Sequence, residues 1–168
     1  HLGDSKMSEL YFKNTIKIQP NNSAAYNNLA NTLKDLGKFS EAIESYNKAI
    51  QIQPNHPNAF HNLGNTYKQL GDFKKAANYY QKSFKLHPQN LETLDVLDNL
   101  GAIILDKSFK EQINNVLKIK NVSKKNLAYG NYLLSKYEYR AQNYENEFNY
   151  LLKGHAHYFN FKKKLFQD

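Results

Sequence analysis

The sequence contains no cysteine, which excludes thiolate and disulfide chemistry. The side chains that remain to be considered for chemistry are histidines, aspartates and lysines. His155 and His157 form a His-x-His pair, but residues two apart on a helix point in different directions. No third ligand accompanies them, so we interpret them as solvated or ring-stacked histidines, not as a metal site. A glycine-rich phosphate loop of the Walker kind is also absent. We therefore expect no catalytic residue, no metal and no cofactor, and the chain itself is expected not to be an enzyme.

Three aspartates lie close together in the sequence, at Asp95, Asp98 and Asp106. Such a group could resemble the carboxylate pairs that perform acid–base catalysis. A spacing of three residues, however, places side chains on one face of a helix. We interpret these aspartates as the polar side of a helix.

The chain is basic, with a formal net charge of +8 on 168 residues. Of its 23 basic residues only Arg140 is an arginine, whereas nucleic-acid readers depend on bidentate arginine contacts. We therefore do not expect nucleic-acid binding, and lysine-mediated binding of polyanions stays an alternative. The run Lys162–Lys164 is interpreted as a solvated helix end. No apolar stretch approaches a membrane span, and the lack of cysteine favours a cytoplasmic location.

The elements that position these residues follow an internal repeat of about 34 residues. Residues 26–33 align with residues 60–67, and residues 16–20 align with residues 50–54. Other markers recur at the same offset. They are Leu36 and Leu70, Gly37 and Gly71, Phe39 and Phe73, Ala42 and Ala76, Tyr46 and Tyr80, and Pro54 and Pro88.

Each repeat predicts two helices. Apolar residues spaced by three and four form one stripe on the first helix; in the first full repeat they are Tyr26, Leu29, Ala30 and Leu33. Gly37 stands where the helix must end in a left-handed turn. The second helix starts at Phe39 and is stopped by Pro54, which lacks a backbone donor.

This pattern resembles the tetratricopeptide repeat (TPR), with its aromatic-x2-Leu-Gly/Ala-x2-Tyr/Leu, Ala-x3-aromatic-x2-Ala and closing proline. The resemblance implies an all-α fold, a TPR α-solenoid in which antiparallel helix pairs form a right-handed superhelix. Residues 21–54 and 55–88 are the two full repeats. Residues 1–20 align with the inter-helix turn and the second helix of a truncated repeat, so we expect the chain to be a piece of a longer protein.

Beyond residue 90 the repeat decays. Residues 89–121 predict a degenerate helix pair in which the glycine is displaced to Gly101 and Ser108 caps the second helix. Residues 122–168 predict a last helix pair, at about 124–142 and 144–161, that forms a cap or a junction to a missing domain. The stretch 133–154 resembles the region before the catalytic domain of bacterial TPR–sulfotransferase proteins. Residues 21–88 also resemble the repeats of O-GlcNAc transferases, so the N-terminal arm of a larger transferase is an alternative function.

The first helices of a TPR stack line its concave groove. Outside the apolar stripe they carry polar side chains, and asparagine offers both a donor and an acceptor to an extended peptide. The candidate groove residues are Asn27, Asn28, Asn31, Lys34, His61, Asn62, Asn65 and Lys68. The O-GlcNAc transferase resemblance places Asn28 and Asn62 in an asparagine ladder. As the alternative, these asparagines only pack neighbouring helices together.

The leading functional hypothesis is a protein–protein interaction scaffold that binds a peptide or partner segment in this groove. A chaperone-type carboxylate clamp is not expected, because Asn27, Glu92 and Val96 occupy the positions that need basic residues. An uncovered half-repeat exposes apolar surface, so end-to-end self-association is a further expectation.

Overall fold

The regular secondary structure of the residues that the structure, a computed structural model, describes consists of helices joined by short turns and loops. The described residues are 2–164, with side chains described for residues 4–160. The all-α fold predicted from the sequence is therefore confirmed. The helices of this range are α1 (Leu2–Ile18), α2 (Ser23–Asp35), α3 (Phe39–Ile52), α4 (Pro57–Gln69), α5 (Phe73–Leu86), α6 (Leu91–Asn99), α7 (Lys107–Leu117), α8 (Lys124–Arg140) and α9 (Tyr144–Lys164).

The chain consists of two compact units. The N-terminal unit, residues 1–87, contains α1 to α5, and the C-terminal unit, residues 88–168, contains α6 to α9. Each is described by itself below.

The core of the N-terminal unit is built from the stripes that the repeat predicted. Leu29, Ala30 and Leu33 of α2 are buried against Ala42 and Tyr46 of α3. Leu63 of α4 joins this cluster, and α5 packs on α4 in the same way. The alternation of small and aromatic residues lets each pair of helices approach closely while the rings fill the remaining space.

Glycine closes the turn between the helices of a pair. Gly37 and Gly71 have φ of 74° and 78°, a conformation that side chains disfavour. The N–H of Gly37 donates to the carbonyl of Lys34, and the next N–H, of Lys38, donates to Leu33. This pair of bonds is a Schellman motif, which satisfies carbonyls that the end of a helix leaves free. The turn predicted from the glycine spacing is confirmed.

A polar side chain caps the start of each first helix. Asn22, His56 and Asn90 follow one another at the repeat spacing and each accepts a hydrogen bond from the backbone N–H three residues on. Pro57 then occupies the first turn of α4, where its missing N–H costs nothing.

Helix α1 begins earlier than the repeat predicts. The alignment placed a turn at Leu2–Gly3, but both residues are helical. Helix α1 exposes the apolar residues Met7, Leu10 and Tyr11; the self-association expected from such a surface stays a prediction.

In the C-terminal unit, α6 has nine residues, whereas α4 has thirteen. Its turn is unchanged, since Gly101 has φ of 64° and its N–H donates to Asp98. The cap predicted at Ser108 is wrong by two residues: Asp106 caps α7 and accepts from the N–H groups of Ser108 and Phe109. A carboxylate is a stronger acceptor than a hydroxyl for two N–H donors.

Helix α8 is the centre of the C-terminal unit, because α6, α7 and α9 all pack against it. Asn126 near its start accepts from the N–H of Leu91 and donates to the carbonyl of Gln89. Two glycines allow close approach: a methyl group on Gly130 would meet Leu117, and one on Gly154 would meet the ring of Tyr132.

Candidate functional site

The predicted groove residues all lie on α2 and α4 of the N-terminal unit, at equivalent places one repeat apart. We call this set the polar row. Asn28 and Lys68 are exposed, and most of the others are half-buried. Asn27 is the exception, because only 7% of its surface is accessible. The polar row comprises Asn27, Asn28, Asn31 and Lys34 on α2, and His61, Asn62, Asn65 and Lys68 on α4.

Two asparagines of the polar row are each held by a buried tyrosine. The hydroxyl of Tyr46 donates to Oδ1 of Asn31 at 2.6 Å, and that of Tyr80 donates to Oδ1 of Asn65 at 2.7 Å. Both tyrosines are fully buried. Burial also raises the pKa of Tyr46, since low polarity disfavours the phenolate. The phenol therefore stays protonated and able to donate at physiological pH.

Other asparagines join the two helices. Asn62 on α4 donates through Nδ2 to Oδ1 of Asn27 on α2 at 3.2 Å. Asn27 in turn donates to Oδ1 of its neighbour Asn28 at 3.4 Å. This chain of amides gives Asn27 a packing role between the first helices, and it leaves Asn28 as the exposed member.

The charged and aromatic members of the polar row have different surroundings. The ammonium of Lys34 lies 3.7 Å from the carboxylate of Asp35 on the same helix. The ring of His61 contacts the ring of Tyr80 edge-on, with centroids 5.3 Å apart. Lys68 is exposed at the end of α4. The row therefore combines amide donors and acceptors with two ammonium groups one repeat apart.

The first helix of the C-terminal unit has a different polar face. Asp95, Asp98 and Asn99 of α6 surround one ammonium, that of Lys136 on α8, at 2.9, 2.7 and 2.9 Å. Arg140 adds a contact to Asp98 at 3.5 Å. The sequence placed Asp95 and Asp98 correctly on a polar helix face but missed Lys136, which is 41 and 38 residues away and carries no local signal.

The side chains that the sequence offered for metal binding or acid–base chemistry have other contacts in the described part of the chain. Asp106 is used as a helix cap, and His155 contacts Tyr132, with its Nδ1 3.3 Å from the hydroxyl. Groups of three or more metal-ligating side chains do not occur in the described part. The side chains of Lys162–Lys164 lie outside the described residues. None of the described helices has the length and apolarity needed to cross a membrane.

Three models of known protein families match the sequence that forms these helices. A TPR repeat model matches residues 30–71, and two tetratricopeptide repeat models match residues 11–44 and 57–90. Together these three models cover residues 11–90. No curated protein matches the chain.

Solved structures share the fold. The crystal structure of MamA is similar, with a TM-score of 0.62 and 19% identity, covering 96% of this chain and 92% of that one. The first TPR of Spaghetti (RPAP3), bound to the HSP90 peptide SRMEEVD, has a TM-score of 0.56 and 21% identity, covering 60% and 79%. The predicted TPR fold is thus confirmed. The resemblances to sulfotransferase and O-GlcNAc transferase proteins stay predictions.

Proposed function

We propose that the N-terminal unit is a protein-interaction module that binds an extended peptide segment along the polar row. The observation that carries the proposal is the row itself: six amide side chains or lysines on the first helices remain exposed or half-buried instead of being enclosed in the core. They are Asn28, Asn31, Lys34, Asn62, Asn65 and Lys68. Polar groups at matching places on successive helices offer evenly spaced partners to a ligand that is itself periodic.

An extended peptide is such a ligand, because its backbone presents a donor and an acceptor at every residue. Carboxamides can satisfy both kinds of group irrespective of the ligand's side chains. The hydrogen bonds between Asn62, Asn27 and Asn28 add to this, since they fix the amides before a ligand arrives. A fixed binding surface loses less side-chain entropy on association.

The similar structures support the proposal at the level of the fold. The TPR of Spaghetti (RPAP3) is described as bound to an HSP90 peptide, so helix pairs of this kind can hold a short linear segment. The partner of the present chain is a separate matter, which the residues of its own polar row decide.

Asn28 is the residue to test, because its side chain is exposed and, among the described residues, forms a hydrogen bond only to Asn27, at 3.4 Å. The protein would be used to select binders from a displayed library of random twelve-residue peptides. We expect Asn28→Ala to lower the affinity for the selected peptides about fivefold, which is the effect of losing one hydrogen bond. Binding is measured by fluorescence polarisation.

Asn47→Ala is the matched control, since Asn47 is also exposed but lies on the second helix α3. It is expected to leave the affinity unchanged. If Asn28→Ala has no effect on any selected peptide, or if both variants weaken binding equally, the polar row is not the binding surface.

A further inference from the structure

We propose that Tyr46 and Tyr80 are positioning residues that turn the amide Nδ2 groups of Asn31 and Asn65 toward the ligand, and that the ligand is therefore an acidic extended peptide. The inference rests on the proposed function, because it names the partner class of the same polar row. Its evidence is the orientation of two side chains and the charges around them.

The first step concerns which end of each carboxamide faces outward. A carboxamide has an acceptor end, Oδ1, and a donor end, Nδ2, which lie on opposite sides of the same group. In both repeats a buried tyrosine hydroxyl donates to the Oδ1 end, at 2.6 Å and 2.7 Å. The tyrosine rings cannot turn away, because they are fully buried. Rotating either amide would break its bond to the hydroxyl.

The second step concerns the Nδ2 groups of Asn31 and Asn65. Neither forms a hydrogen bond to any residue that the structure describes. Yet the described chain contains no buried side-chain nitrogen or oxygen that lacks a partner. These Nδ2 atoms must therefore reach solvent. The polar row thus presents two outward N–H₂ groups, one per repeat, and each can donate hydrogen bonds to a ligand.

The third step concerns charge. Lys34 and Lys68 each lie three residues beyond one of these asparagines, on the same helix face. Helices α2 and α4 together contain a single carboxylate, Asp35, and the ammonium of Lys34 lies 3.7 Å from it. Oriented N–H donors beside ammonium groups favour carboxylate oxygens as acceptors. A peptide rich in aspartate or glutamate fits this surface.

The replacement of asparagine by aspartate tests the inference directly. Asn31→Asp and Asn65→Asp keep an oxygen that accepts from the tyrosine, so the fold is retained, but the outward donor becomes a carboxylate oxygen. The probe is a fluorescein-labelled decapeptide of alternating glutamate and serine, at physiological salt. We expect the double variant to bind this peptide with an affinity at least tenfold lower, because two hydrogen bonds are replaced by repulsive contacts between carboxylates.

Because the protein is basic, any added negative charge lowers the affinity for an acidic peptide to some degree. Asn47→Asp with Asn78→Asp is the matched control: it makes the same change in net charge at exposed sites on α3 and α5. Its expected loss is less than twofold. If the two double variants lose affinity equally, the peptide responds only to net charge and the inference is overturned.

The positioning role has its own readout. Tyr46→Phe with Tyr80→Phe frees both carboxamides, and we expect about fivefold weaker binding per site. In ¹⁵N spectra, the wild-type side-chain N–H₂ signals of Asn31 and Asn65 should shift when the peptide is added, and that of Asn47 should not. Tyr79→Phe is the control, a half-buried tyrosine stacked on Tyr67. Unchanged affinity in the double phenylalanine variant would contradict the role of the tyrosines.

The outcomes also separate this inference from the proposed function. If library-selected peptides depend on Asn28 but the glutamate peptide does not bind, the acidic class is wrong and the peptide-binding row stands. If neither kind of peptide depends on the polar row, both are wrong.

Discussion

Helices α2 and α4 of the N-terminal unit and helix α6 of the C-terminal unit each end in a glycine turn. The polar face of α6, however, differs from those of α2 and α4. On α2 and α4 the face carries amides and lysines, and its hydrogen bonds run within the row or to tyrosines below it. On α6 the face carries the carboxylates of Asp95 and Asp98, and Lys136 and Arg140 of α8 contact them. The repeat determines where the polar side chains stand, whereas distant residues of opposite charge determine whether the protein itself covers that face.

Removing Lys136 tests this comparison with the largest expected effect. In Lys136→Met, Asp95 loses its cation and Asp98 keeps only the longer contact to Arg140, at 3.5 Å, while the two aspartate side chains are only 13% and 10% exposed. Breaking a buried ion pair by removing one partner is costly. Since Lys136 is partly exposed, at 28%, we expect a loss of about 2 kcal/mol in the free energy of unfolding of the C-terminal unit. Urea unfolding measures the loss, and hydrogen exchange locates it in α6 and α8.

Lys13→Met in the N-terminal unit is the control. Its partner Glu9 keeps a second cation, Lys38 at 2.9 Å, and Lys13 is 49% exposed, so less than about 0.5 kcal/mol should be lost. Equal losses in the two variants would show that the charged face of α6 is not closed by Lys136 in any energetic sense.

Packing under the first helices gives a smaller contrast. A methyl group on Gly64 would lie 2.8 Å from the ring of Tyr80, which is fully buried. In the preceding repeat Ala30 holds the same position and packs in one cluster with Tyr46, so of these two repeats the second is the one that lacks room for a methyl group. We expect Gly64→Ala to lower the free energy of unfolding by about 1–2 kcal/mol, even after the gain in helix propensity.

Gly130→Ala in the C-terminal unit is expected to be within about 0.5 kcal/mol of the parent protein. Its new methyl would meet the ends of Leu117 and Leu91 at 2.7 and 2.9 Å. The ends of aliphatic side chains adjust to a new methyl group by small shifts more easily than a rigid tyrosine ring does. Thermal melts of both variants make the comparison. A larger loss for Gly130→Ala would mean that the aliphatic packing around α8 is the more rigid of the two.

The smallest expected effect concerns a helix cap. His56 accepts the N–H of Ala59 through Nδ1 at 3.3 Å, which requires that nitrogen to be unprotonated. Burial lowers the pKa of His56, so as pH falls below about 6.5 the unfolded chain takes up the proton first. This histidine should therefore make the protein less stable as pH falls from 7, whereas above neutrality its contribution does not change with pH.

His56→Asn introduces the residue found at the equivalent caps Asn22 and Asn90. It should remove this pH dependence and raise the free energy of unfolding by about 0.5 kcal/mol at pH 5.5. Urea unfolding at pH 5.5 and 7.5 checks both statements. If His56→Asn leaves the dependence of stability on pH unchanged, protonation of His56 is not what destabilises the protein at low pH.

The regular part of the fold could be predicted because its markers act locally. Gly37, Gly71 and Gly101 each adopt the left-handed conformation that the sequence indicated, since the turn is decided by backbone sterics at one residue. The cap of α7 was placed at Ser108 and not at Asp106, because serine and aspartate are equally good caps by sequence and only the geometry distinguishes them.

The interactions that define the candidate site were less accessible from sequence. Asn27 is buried because Asn62, 35 residues later, reaches across to it, and no local pattern contains that pairing. The contact of Lys136 with α6 is equally distant in the sequence. The tyrosine bonds to Asn31 and Asn65 each span 15 residues. They recur with the repeat, so a consistent spacing of asparagine and tyrosine was the one signal that could have revealed them.

The nine-residue length of α6 has a genetic consequence. Gly101 follows Gly71 by 30 positions instead of 34, which is the result that an in-frame loss of four codons would give. Four residues correspond to about 1.1 helical turns, or a rotation of only about 40° beyond a full turn. A loss of two codons would rotate the rest of the helix by about 200° and bring its buried side to the surface. A helical repeat therefore tolerates deletions by turns and not by residues, and α6 has the length that such a tolerated change would leave.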